Sequence, residues 1–345
     1  MKWSDLLKKL LPLSTGIVLL ISILYIFFLF WIASYAEKKS FVGGSIINNP
    51  YIYSLSLGVY CTAWTFFGSV GRASTTGLGF LPIYLGPTLI APFWVLLLKK
   101  MIVISKSQRI TSIADFISSR YGKSTNLGIL ATLIAVFGII PYISIQLKAI
   151  SLGYDILATE EDFIGRWLDN SSFYRDKTLM ITIILAVFTL LFGSRKLDPN
   201  ERHEGLVASV AFESLIKLTA FLAIGIYVTY GIYNGFGDVF ELAYNKAQLQ
   251  KLFYLESAGI NSVSWTWLII LSMFAILFLP RQFHLAVVEN TNPDFVKKAA
   301  WLFPLYLFLI CIFVLPIAFG GLMHCLLYTS PSPRDRTRSR MPSSA

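Results

Sequence analysis

Residues 51–79 read YIYSLSLGVYCTAWTFFGSVGRASTTGLG, a stretch long enough to cross a bilayer but unsuited to lipid along one side. Ser54, Gly58, Thr62, Thr65, Ser69 and Arg72 recur at steps of three or four, so on a helix they form one stripe that should face protein or water. Gly58, Gly68, Gly71, Gly77 and Gly79 make the segment easy to unwind. An unwound turn bares backbone carbonyls, which the hydrocarbon tolerates only around a cavity, and such oxygens suit a hard cation or a polar solute. The same small residues also serve close helix packing, and spacing leaves both readings standing.

The rest of the chain fits a membrane. Of 345 residues, 55% are hydrophobic and 14% charged, with mean hydropathy +0.65, which excludes an ordinary soluble domain and points to an all-α polytopic membrane protein. About eight spans can be read, at 11–36, 51–71, 80–104, 126–154, 178–193, 205–233, 263–279 and 299–322. The net charge of +10 does not gather into one patch, so no nucleic-acid partner is expected; the basic residues alternate with the spans. Lys38, Lys39, Lys99, Lys100, Arg109, Arg120, Arg195, Arg281 and Lys297 fall in one set of loops, which should therefore face the cytoplasm. The expected location is the inner (plasma) membrane, crossed many times. Cys61, Cys311 and Cys325 show neither metal-site nor disulfide spacing.

Polar residues inside spans are expensive in lipid and so are candidates for interior roles. Glu213 and Lys217 stand four apart and can pair on one helix face, as a structural ion pair or as a proton or substrate relay. Tyr142 and Gln146 share a face just after Pro141; the Gln146 amide could bind a solute or a neighbouring helix. After Pro280, residues Arg281, Gln282 and His284 cluster near Glu289, which could hold them as a cytoplasmic cap. The amphipathic loop 108–122 is expected to rest on the inner membrane face, and 238–253 to lie on the outer surface or pack there as a helix. The chain carries no P-loop, HExxH, nucleophile elbow or glycine-rich nucleotide box, so no catalytic residue is assigned.

From residue 325 the chain reads CLLYTSPSPRDRTRSRMPSSA, rich in proline and arginine on the side where the charge rule disfavours it. Residues 325–345 are read as a non-native tail, and the native protein is expected to continue beyond the membrane part.

Six runs carry a family resemblance: SLGVYCTAWTFFGSVGRAS (56–74), LGFLPIYLGPTLIAPFW (78–94), KSQRITSIADFISSRYGKS (106–124), PYISIQLKAISLGYDIL (141–157), DPNERHEGLVASVAFESLIKL (198–218) and LPRQFHLAVVENTNP (279–293). The chain resembles the sodium/solute symporter family, and specifically the transporter-like membrane module of CbrA-type sensor histidine kinases, from about residue 15 to 323. The resemblance implies a LeuT-like inverted-repeat fold within 1–324, with a leading helix at 11–36, the first repeat at 51–233 and the start of an incomplete second repeat at 263–322. It implies that backbone carbonyls of Gly58 and Cys61 hold sodium, the one candidate cofactor, with Tyr60, Thr62, Trp64, Thr65, Gln146 and Gln282 as solute-binding candidates. Tyr60 departs from the pattern, since proline-type symporters carry an Asp there, which puts tight sodium coupling in question. Two functions follow from the resemblance: a module that binds, and transports or senses, a small solute such as an amino acid as the input domain of a sensor histidine kinase, or a stand-alone sodium-coupled symporter. A response regulator would be a partner only through a kinase region outside these residues.

Overall fold

The computed structural model describes residues 15–157, 203–255 and 260–329, with isolated positions at 179, 182, 183 and 186. Most of the span expected at 178–193, and residues past 329, lie outside the described residues. Every described element is helical. In order they are α1 (Thr15–Phe41), α2 (Pro50–Ser56), a 3-10 turn (Leu57–Tyr60), α3 (Ala63–Thr76), a 3-10 turn (Gly77–Phe80), α4 (Pro82–Ile90), a 3-10 turn (Ala91–Val95), α5 (Leu97–Gln108), α6 (Ile113–Arg120) and α7 (Thr125–Leu157). Then follow α8 (Glu204–Ile226) with a π-helical end (Tyr227–Ile232), α9 (Phe236–Tyr244), α10 (Ala247–Gln250), α11 (Ser262–Phe278), α12 (Pro280–Phe283) running into a π turn (His284–Val288), α13 (Phe295–Cys311) and α14 (Val314–Thr329).

Four of these helices are long and apolar enough to cross a membrane, or up to six segments if each of two bent pairs is one span. The shortfall from about eight has a physical cause besides the undescribed span. Polar and glycine-rich turns cut the apolar runs: Ala63–Phe80 meets Pro82–Val95 at 59°, and Ser262–Phe278 meets Pro280–Val288 at 48°. Pro82 and Pro280 stand at these bends, where a missing N–H and a ring clash forbid a straight helix.

The core is built on α13. Phe303 is fully buried there, stacked on Trp94 at 5.4 Å, and Leu307 and Ile310 continue the same inner face. The helix packs against α2 and against the turn at Ala91–Val95, while α8 lies across α1 and α2. By contrast, none of the apolar window of α7 is buried; Ile134 and Phe137 point outward, as residues facing lipid tails do.

Two amphipathic surface segments pack on protein: the first against its expected place on the membrane face, the second in line with one of its two readings. Ile110 and Ile113 are buried, and Phe116 of α6 meets Phe283 at 5.5 Å, so this apolar face covers the protein core and not the membrane surface. Val239 and Ala243 of α9 and Leu249 of α10 cluster with Phe319 and Met323 of α14, which makes 236–253 a packed helical cap. Amphipathicity alone does not tell a lipid surface from a protein surface.

Helices α4 and α11 touch through Gly86. A Cβ there would meet the Ile269 carbonyl oxygen at 2.6 Å and the Met273 amide nitrogen at 2.7 Å, backbone atoms that cannot swing aside. Gly86→Leu is expected to destabilise the membrane fold by about 1–3 kcal/mol, read as a lower melting temperature in detergent, whereas the outward Phe137→Leu should leave it unchanged.

Candidate functional site

The site begins where the helix stops. Asn49 caps α2 and Pro50 opens it, but after Ser56 the chain tightens into a 3-10 turn, and Cys61 and Thr62 are extended at φ −85°, ψ 111° and φ −108°, ψ −173°. Helix resumes at Ala63, with Thr62 as its cap: the Thr62 hydroxyl oxygen accepts the Trp64 N–H at 3.3 Å. Two extended residues in the middle of an apolar run release carbonyls that would otherwise bond four residues on.

Side chains distant in sequence reach those carbonyls. Lys217 of α8 donates from Nζ to the Cys61 carbonyl at 2.7 Å, and its ammonium lies 3.0 Å from Glu213 Oε1. Arg281 of α12 donates from Nη2 to the Tyr60 carbonyl at 3.5 Å, and its guanidinium lies over the Tyr142 ring at 4.7 Å. The Gly58 carbonyl accepts the Cys61 N–H at 2.9 Å. Gly58 itself is required by close packing: a Cβ would lie 2.7 Å from Ser214 Oγ, and the Ser214 carbonyl accepts the Tyr306 hydroxyl at 3.1 Å. Helices α8 and α13 are thus pressed against the break.

The other candidates divide into tied and untied groups. The Tyr60 hydroxyl donates to the Ile83 carbonyl at 2.7 Å, and its ring meets Phe303 edge-on. Trp64 is mostly outward and folds over Gly68 of its own helix. The Thr65 N–H donates to the Thr62 carbonyl at 2.8 Å. Of the predicted stripe, Ser54, Gly58 and Ser69 are buried, Thr62 and Thr65 are half-buried and Arg72 is exposed. Gln282 is fully buried with neither amide atom hydrogen-bonded, and the Tyr142 hydroxyl and Gln146 Nε2 are enclosed without partners.

At the start of α8 a second cluster forms. Glu289, its side chain only 3% exposed, places Oε1 2.8 Å from His203 Nδ1 and 3.0 Å from His284 Nε2, while Oε2 accepts the His203 backbone N–H at 3.2 Å. The π turn brings His284 and Glu289 to one side, five residues apart. The three donor atoms lie within 4.8 Å of one another. His203 was invisible to sequence reasoning, because nothing in its spacing connects it with a partner 86 residues away. A separate open cavity of about 550 Å³, lined by Asp115, Ser118, Lys123, Thr125 and Thr132, lies between α6 and the start of α7, away from the break.

Against known proteins, no family model matches the chain, and no solved structure matches it. A curated protein that it resembles is an uncharacterized symporter, YhjB, of Bacillus subtilis (strain 168), 26% identical over 285 residues, which are 82% of this chain and 53% of that protein. The chain spans about half the length of this relative. The likeness supports a transporter of the symporter type in a membrane, and it lends no support to a kinase-linked role.

Burial alone would raise the Glu289 carboxyl, yet hydrogen bonds from His284 and His203 hold it below the ordinary carboxylate range. A depressed folded value means that its contribution to stability is complete above the unfolded carboxylate value of about 4.3 and is lost as pH falls through the folded value. Glu289→Gln is expected to cost about 1.5–3 kcal/mol near neutral pH and to flatten the acid side of a melting-temperature profile.

Proposed function

We propose that this chain is the solute-binding membrane module of a secondary symporter, and that the solute is small and carries a carboxylate, an amino acid being the favoured case. The observation that carries the reading is the helix break, where Lys217 of α8 donates to the Cys61 carbonyl and Arg281 of α12 to the Tyr60 carbonyl. Among the described residues the Arg281 guanidinium makes one long hydrogen bond and one ring contact. An arginine has five N–H donors in a planar fork, and the pairing that satisfies them best is a two-pronged one with a carboxylate. Thr62, at the start of α3, places the positive end of a helix dipole on the same side of the turn. The enclosed amides of Gln146 and Gln282 and the Tyr142 hydroxyl supply further groups for the polar body of a solute.

In this reading 51–233 and 263–322 belong to the first and second inverted repeats of a LeuT-like transporter, and the turn at Leu57–Thr62 is the hinge between two access states. Such a hinge works only if solute binds the two states with different affinity. Transport is favoured over input to a histidine kinase because the curated relative bears a symporter name.

Uptake of radiolabelled amino acids into vesicles carrying the full-length protein tests the proposal. Saturable uptake is expected, with Arg281→Ala weakening apparent affinity roughly 30-fold, the equivalent of about 2 kcal/mol for a lost charge-assisted bond, and Arg281→Lys falling between. Uptake of neutral, carboxylate-free solutes that is indifferent to Arg281 would contradict it.

A further inference from the structure

The sodium site implied by the family resemblance can be tested against the atoms that would form it. Both assigned carbonyls are already engaged: that of Gly58 accepts the Cys61 N–H at 2.9 Å, and that of Cys61 accepts Lys217 Nζ at 2.7 Å. A sodium ion at Cys61 would have to share its oxygen with a fixed ammonium, and Arg281 stands one carbonyl away at Tyr60. Like charges packed together in a poorly polarisable interior repel strongly, so the residues present do not fit sodium.

We infer that the Lys217 ammonium is the resident cation of the helix break, held between the Cys61 carbonyl and the Glu213 carboxylate, and that it takes the place of a coupling sodium ion. The arrangement is specific. Lys217 projects from α8 at the level where Ser214, one turn earlier, meets Gly58, so the packing that closes the helices also delivers the amine to the bare oxygen. Glu213 lies on the other side of the same amine at 3.0 Å and balances its charge, which lowers the cost of keeping it in the membrane. A lysine differs from sodium in one respect that matters for transport: it is tethered to its helix and cannot leave with the solute, so the break carries its cation through the whole cycle. The ionisable groups around this pair are Cys61 on the broken helix, Arg281 on α12, Tyr306 on α13 and, facing Glu213, Tyr25 on α1.

The inference rests on the break being the working site but not on the identity of the solute, so its test needs no substrate. Purified full-length protein is melted in sodium chloride and in choline chloride at matched ionic strength. The wild type is expected to melt at the same temperature in both. Lys217→Met should melt lower in choline and recover part of the loss in sodium as the vacated oxygen accepts the free ion, while Lys217→Arg, which keeps a tethered cation, should stay insensitive to sodium. Saturable stabilisation of the wild type by sodium would overturn the inference, and this comparison stands even if Lys217→Met fails to fold. Uptake in vesicles separates the two claims: carboxylate uptake that is indifferent to sodium supports both, sodium-dependent accumulation rejects only the lysine's role, and no carboxylate uptake under any gradient rejects the function itself.

Discussion

A carbonyl oxygen set free inside a bilayer has no water to turn to, and the fold around this helix break brings donors to the Gly58, Tyr60, Cys61 and Thr62 oxygens. Unsatisfied backbone groups in hydrocarbon cost several kcal/mol apiece, so a break of this kind persists only where neighbouring elements repair it. Here the repair comes from far along the chain: α8 brings Lys217 to Cys61, and α12 brings Arg281 to Tyr60. Gly58 lets α8 approach, Tyr306 pins that approach through the Ser214 carbonyl, and the bend at Pro280 turns Arg281 inward.

The cluster at the start of α8 shows a similar economy. Glu289 is buried, yet three hydrogen bonds from two segments converge on its carboxylate and tie the start of α8 to the turn that follows α12. Both helices that serve the break are thereby fixed at one end. The tie restrains the same two elements whose relative movement a transport cycle would require.

Much of this was legible in the sequence, and what was not has a common reason. Glycine and hydroxyl spacing in 51–79 marked a segment unable to remain a plain lipid-facing helix, because helix periodicity and glycine's backbone freedom are local properties. The i, i+4 spacing of Glu213 and Lys217 likewise showed that they could meet. Local rules did not reveal that Lys217 also grips Cys61, 156 residues earlier, nor that His203 completes the Glu289 cluster. Such contacts depend on tertiary packing, which a single sequence does not encode in its spacing. The same gap explains α6: its apolar side was evident, but whether lipid or the Phe283 ring would cover it was not. Hydropathy also averages over the bends at Pro82 and Pro280, which divide apolar runs that the sequence reads as single spans.

An experimental structure of the full-length protein in a lipid nanodisc, at a resolution that shows backbone carbonyls, bears most directly on the central claim. Density should show helix lost between residues 57 and 62 with the Lys217 amine in hydrogen-bond contact with the Cys61 carbonyl. A continuous helix through Ala63, with Lys217 turned toward lipid or water, would contradict it.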